Sequence, residues 1–394
     1  MATSLTDMSA AQAAADLGVW AELIGQTAVV ATLRRAVAGE PHAMSHAWLF
    51  TGPPGSGRSN AARAFAAALQ CDSGGCGHCN ACRTSLSGAH PDVTLVRTEL
   101  LSIGVDEVRE LVRRAVMSPT LGRWQVIVIE DADRVTERGA DALLKSIEEP
   151  APRTVWILCA PTPEDVVATI RSRCRLLTLQ TPTISAVARL LETRDGVEPE
   201  LAAYAARVSQ GHVGRARVLA RDEGARNRRQ QILHIPLELH GLGACLAAAA
   251  QVVEAATAEA AEATGELDAK ERTALEEALG FGTTGAKPRQ AQAALKDLED
   301  QQRARSKRFQ RDAIDRTLTE LTGFYRDVLS IQTGSGAQVI NEDLRPAIAV
   351  LARKSTPEST LHRIDALLAC RTALEGNVAP LLAVEAALIG LVEG

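Results

Sequence analysis

Short apolar runs punctuate the chain between residues 46 and 180: HAWLFTG (46–52), DVTLVR (92–97), QVIVIE (125–130), TVWILC (154–159) and RLLTLQ (175–180). They are rich in Val, Ile and Leu and do not alternate cleanly with polar residues, the pattern of strands buried on both faces. Stretches with helical spacing lie between them, near 57–70, 105–116, 138–149 and 163–171. Strands alternating with helices predict an α/β domain on a parallel sheet over residues 19–182. After Thr181-Pro182 the strand signal stops. Residues 183–224 read as short helices broken at Gln210-Gly211, and 225–394 are Ala- and Leu-rich with helical spacing throughout. Residues 1–18 are small and polar and read as a loosely ordered leader.

Charge singles out one part of the helical half. Residues 252–279 carry eight acids and two bases, whereas 287–316 carry nine bases and five acids. GFGTTGAKP (280–288) between them has turn chemistry, which predicts a charged helical hairpin over 252–316. Exposed ion pairs contribute only about 0–1 kcal/mol each, so the hairpin reads first as a solvated excursion. The whole chain has a net charge of −5, which provides no general field for nucleic acid. Aromatic residues make up 3%, too few to line a base-stacking surface. There is no signal-like N-terminus and no apolar run of about 18 residues, so the expectation is a cytoplasmic protein with no membrane contact.

Chemistry gathers at three places. The first is GPPGSGRS (52–59), which has phosphate-loop spacing at a strand-to-helix turn. Gly52, Gly55 and Gly57 let backbone N–H groups curl around phosphate oxygens, and the next helix offers its positive end. Ser59 stands where a Mg²⁺-binding hydroxyl belongs, but Arg58 replaces the usual Lys. The longer, planar guanidinium is not equivalent at a shaped site. The loop therefore either binds ATP/Mg²⁺ weakly or keeps the shape without the ligand. The second place is Glu130-Asp131, at the end of the third strand. Acids there usually hold Mg²⁺ and orient a water. Their order is reversed, which shifts each carboxylate by roughly 1.5 Å; the alternative is a pair of solvated strand-end acids.

The third place is C-x4-C-x2-C-x2-C: Cys71, Cys76, Cys79 and Cys82. Four thiolates at this spacing can close a structural Zn²⁺ shell and leave no open position for catalysis. The Gly-rich segment around them has little apolar material, so metal would supply its folding energy. A reduced thiol cluster is the alternative, with His78 and His90 as spare ligands. Cys159, Cys245 and Cys370 lie in apolar stretches and read as core residues.

RGADALLKSIEEP (138–150), ATIRSRC (168–174) and WAELIGQ (20–26) resemble the bacterial DNA polymerase III clamp-loader family of AAA+ ATPases. The resemblance implies a RecA-like domain, a small helical lid and a C-terminal collar that assembles five subunits in a ring. It also implies a zinc module after the phosphate-loop helix. Implied partners are the motor (gamma/tau) and delta subunits and, through the complex, a sliding clamp and primed DNA. Arg58, Glu130-Asp131, Ala160 at the sensor position (Thr162 the nearest hydroxyl) and Gly214 at the lid-arginine position (Arg215 adjacent) depart from motor patterns. These departures favour the delta-prime type, a largely non-hydrolysing member that keeps the SRC motif. Arg173 of that motif is then implied to reach a neighbouring subunit's ATP, with Arg171 as a local control. Alternatively Arg173 only pairs with a surface acid. An active motor subunit, or a DNA-binding module built on the zinc element or the basic limb, remain the competing functions.

Overall fold

The computed structural model describes residues 17–98, 102–279 and 289–393. The leader as far as residue 16 and the hairpin turn at 280–288 lie outside the described residues. The chain divides into two compact units; among the described residues the first runs to Arg221 and the second begins at Asp222.

The first unit contains α1 (Thr27–Val37), β1 (Ala47–Thr51), α2 (Arg58–Gln70), α3 (Asn80–Ser87), β2 (Val93–Val96), α4 (Val105–Ala115), β3 (Gln125–Ile129), α5 (Glu137–Glu148), β4 (Thr154–Ala160), α6 (Ala168–Arg171) and β5 (Arg175–Thr178). The strands form one sheet in the order β2-β3-β4-β1-β5, with every neighbouring pair parallel. This is the RecA-like arrangement. Alternate residues of the central strands feed two cores. Trp48, Phe50, Val126, Val128, Val155 and Ile157 pack with α2 on one face, while Leu49, Ile127, Ile129, Trp156 and Leu158 pack with α4 and α5 on the other. Trp48 meets Phe65 of α2 edge-on at 5.2 Å, and burying such a side chain contributes roughly 1.5–3 kcal/mol. Ala61, Ala64, Ala67 and Ala68 on α2 are all buried, so the helix lies close against the sheet.

Two expectations need correction. RLLTLQ does not form a strand buried on both faces: β5 is at the sheet edge, and Leu176 is 48% exposed. The helix expected over 163–171 is split into a 3-10 turn at Pro163–Asp165 and the single turn α6. Between them the β-branched Val166 adopts extended backbone angles, and Val167 is likewise non-helical. Three short helices complete this unit: α7 (Ile184–Thr193), α8 (Pro199–Val208) and α9 (Val213–Arg221).

The second unit contains α10 (Glu223–Glu238), α11 (Leu242–Ala278), α12 (Arg289–Thr333), α13 (Arg345–Lys354), α14 (Pro357–Glu375) and α15 (Pro380–Glu393). Its described residues include no strand. Buried Cys245, Ala249, Val252, Ala256 and Ala260 form a stripe along α11 at steps of three and four. The charged limbs run antiparallel. Arg316 pairs with Glu259, Arg305 with Glu271 and, at 3.3 Å, with Asp268, and Arg272 with Glu299 at 3.6 Å. A polar knot fixes the segment after α12. Asp327, 1% exposed, accepts from the N–H groups of Ile340 (2.9 Å) and Asn341 (2.8 Å) and from Asn341 Nδ2 (2.9 Å). Arg229 joins the knot through Asn341 Oδ1 and Glu320 Oε2, the latter at 3.0 Å. No described helix is long and apolar enough to cross a membrane.

Candidate functional site

Gly52, Gly55, Gly57, Arg58 and Ser59 follow β1 directly, at the carboxyl end of the sheet. Gly52, Gly55 and Gly57 have φ of +150°, +84° and +92°, backbone that side-chain-bearing residues rarely adopt. The loop therefore keeps the form of a phosphate cradle. Its cation, however, is engaged: Arg58 Nη1 donates to the carbonyl of Gly52 within the same loop. A second support comes from the N-terminal segment. Gln26, 4% exposed, donates Nε2 to Ser56 O (3.2 Å) and Gln180 O (2.6 Å), tying the loop to the chain beyond β5.

Glu130 and Asp131 emerge at the same end of the sheet from β3, with β4 and Ala160 between them and the loop. Glu130 is not a solvated strand-end acid. It is 8% exposed and accepts from Arg63 Nε of α2 at 2.7 Å. Asp131 precedes the 3-10 turn Ala132–Arg134. Asp165 Oδ2 accepts from Thr162 N–H at 2.8 Å and so fixes the loop after β4. From the lid, Gly214 contributes no side chain, and the N–H of Arg215 donates to His212 Nδ1 at 3.2 Å. His212 itself lies against the cradle: a Cβ on Gly55 would come within 2.5 Å of its ring.

Arg173 is not brought to this site. Parallel pairing sets Arg175 beside Trp48, four strand residues before Gly52, so the SRC segment lies about 13 Å or more away along the sheet, at its opposite end. Arg173 is exposed, pairs with Glu148 Oε1 at 2.5 Å and donates to Thr169 O at 2.7 Å. Arg171 pairs with Glu164 at 3.6 Å.

The four cysteines do converge. Cys71 closes α2, Cys79 caps α3, and their ligand atoms with those of Cys76 and Cys82 all lie within 4.8 Å of one another. Cys71 Sγ is 3.7 Å from Cys76 Sγ and 3.8 Å from Cys79 Sγ. Tetrahedral bonds of about 2.3 Å put neighbouring sulfurs about 3.8 Å apart, so the cluster has the size of a metal shell. Backbone N–H groups point at the sulfurs: Cys76 N at Cys71 (3.5 Å), Gly77 N at Cys82 (3.4 Å) and Cys82 N at Cys79 (3.4 Å). Burial opposes ionisation of Cys71, but the N–H groups of Cys76, Gly75 and Ser73 outweigh it and bring its pKa down to about 6. This cluster could hold a metal ion. His78 is exposed, and His90 Nδ1 accepts from Asp92 N–H, so neither belongs to it. The loop is also less isolated than its composition implies. Cys71 and Cys82 sit in the core, and Gly75 O accepts from Val19 N–H at 3.0 Å. Arg63 and His212 were not apparent in the sequence as site residues, and Gln26 was legible only as part of WAELIGQ.

Residues 25–183 match the family model described as DNA polymerase III, delta subunit, and residues 292–392 match its C-terminal counterpart. The delta' subunit of DNA polymerase III from Bacillus subtilis is 27% identical over 344 residues, covering 86% of this chain and 88% of that one. The chain belongs to the DNA polymerase III delta-prime family. The Escherichia coli delta' subunit is 34% identical over 188 residues, 46% of this chain and 55% of that one. The gamma/tau subunit of Mycobacterium tuberculosis is 38% identical over 159 residues, 39% of this chain and 27% of that one. The present chain thus spans about a quarter of the gamma/tau relatives it matches and about half of the Escherichia coli delta' subunit. Among solved structures, a gamma subunit-related protein of Thermotoga maritima aligns with TM-score 0.32 and 14% identity over 82% of this chain and 98% of that one.

Proposed function

We propose that the chain is a delta-prime-type subunit of a replicative clamp loader, a largely non-hydrolysing stator that acts on a neighbour's ATP through Arg173. The observation that carries this reading is the separation of the two functional ends. Arg173 is exposed at one end of the parallel sheet and the phosphate cradle lies at the other, so its guanidinium has no path to its own cradle. In trans, a guanidinium can meet two oxygens of a γ-phosphoryl group as negative charge builds there. The home site supports the same reading, because Arg58 is turned onto Gly52 and Glu130 is tied to Arg63. ATP/Mg²⁺ binding at this cradle is correspondingly weak. Cys71, Cys76, Cys79 and Cys82 hold a structural Zn²⁺. The partners are gamma/tau and delta subunits, with the sliding clamp and primed DNA reached through the complex in the cytoplasm.

Arginine fingers supplied in trans are worth about 10³–10⁵ in rate. Arg173→Ala should leave assembly with partner subunits intact and sharply lower the ATPase rate of the complete complex, while Arg171→Ala changes it little. A complex carrying Arg173→Ala that keeps its full DNA- and clamp-stimulated rate overturns the reading.

A further inference from the structure

The contact between lid and cradle has a consequence for ligand entry. Gly55 lies in the cradle, and the space into which a Cβ on it would project is already filled by His212, whose Cγ would be 2.5 Å and whose Cα and Cβ 2.6 Å away. The same ring lies along Gly214, where a Cβ would meet His212 Cε1 at 3.4 Å. The backbone and ring root of His212 thus fill the space beside the phosphate loop, and its ring lies beside the lid position where a side chain would otherwise begin.

His212 is held there from its own helix. Its carbonyl accepts from Ala216 N–H at 2.9 Å and its Nδ1 from Arg215 N–H at 3.2 Å, so it caps the first turn of α9. Burial, then the nearby charges of Arg215 and Arg58, lowers its pKa, so the ring is neutral at pH 7 with its proton on Nε2. Ser56 is 2% exposed, and its Oγ has no hydrogen-bond partner.

We infer that His212 is a gate on the phosphate cradle: seated on Gly55 it holds the loop closed, and a nucleoside polyphosphate enters only when the lid lifts it away. This rests on the reading of the cradle as a nucleotide site. A protein whose binding-competent form is a minor fraction shows an affinity reduced by that fraction. Removing the gate should therefore tighten binding without adding a single contact to the ligand.

His212→Ser is the informative variant, because serine still caps α9 while the ring is gone. Two measurements on the full chain test it. Without ligand, amides of residues 52–58 should exchange hydrogen several-fold faster in the variant, with β1 and β4 unchanged. In titrations with a ribose-labelled fluorescent ATP analogue, the variant should bind about tenfold tighter or more, as expected for a competent fraction of a tenth or less. Native exchange rates in the variant, or equal or weaker affinity, overturn the gate. Faster loop exchange with no binding by either protein overturns the nucleotide reading itself and leaves only a structural contact.

Discussion

A guanidinium that donates to a carbonyl of its own loop must break that bond before it can serve a phosphate. Arg58 is in that position, and Glu130 is likewise committed to Arg63. The glycines, the acids and the cysteines of these sites were legible because their spacing lies along the chain. Arg63 and His212 were not, since each acquires its role from a partner far away in sequence. Asp92 is another such residue. It is 1% exposed and accepts from the N–H groups of Thr120 (2.6 Å), Leu121 (2.8 Å) and Gly122 (2.6 Å). Burial pushes its carboxyl up, but those three donors outweigh it and hold its pKa below the ordinary value. A depressed acid stabilises the fold above its unfolded pKa, about 3.9, and that contribution is lost as the pH falls through the folded value. Asp92→Asn should cost on the order of 1–3 kcal/mol at pH 7 in urea unfolding. The gap between native and variant should hold from pH 7 to about 5 and narrow below about 4. A gap that grows on acidification contradicts this account.

Elements were readable where local pattern and tertiary setting agree. The central strands β1, β3 and β4 are buried on both faces, and their uninterrupted Val, Ile and Leu runs say so. β5 carries a similar run, but its place at the edge depends on strand order, which periodicity does not encode. The cysteine loop draws on both sources of order. Its core-facing sulfurs are anchored by packing, whereas on the proposed reading the outer turn at Cys76–Cys79 depends on a bound metal. Metal analysis should find one Zn²⁺ per chain, and Cys79→Ser should abolish it. Exchange protection should then fall across 71–90 while β1, β3 and β4 keep theirs; retained zinc in the variant would exclude Cys79 as a ligand. In the helical unit, Asp327→Ala would remove the acceptor shared by three buried donors of Ile340 and Asn341. Each such donor costs about 1–3 kcal/mol, so this unit should lose at least about 3 kcal/mol in a denaturant titration. A loss under about 1 kcal/mol would show that water replaces the carboxylate.

For the whole chain, the parallel sheet followed by helices was legible from the alternation of patterns alone. Which end of that sheet each functional group occupies needed the observed register. On the proposed reading, Arg58, Glu130 and Ala160 leave the cradle short of the positioning and charge stabilisation on which phosphoryl transfer rests. The purified chain should therefore release phosphate from ATP no faster than its own Ser59→Ala variant. Motor-like turnover abolished by that substitution would overturn the stator reading.

A sheet whose strands all point one way also makes the molecule directional. On the proposed reading one end would offer Arg173 to a neighbour and the other would receive its counterpart, so neighbours would join head to tail through unlike surfaces. Such contacts, repeated with identical copies, extend without limit unless the rotation closes. A link whose receiving end is shut, but whose Arg173 can still be offered once it leaves Glu148, would be a terminator: growth could proceed from one side of it only. The number of firing sites in any assembly containing one copy is then set by the other links, and its arrow of assembly by this one.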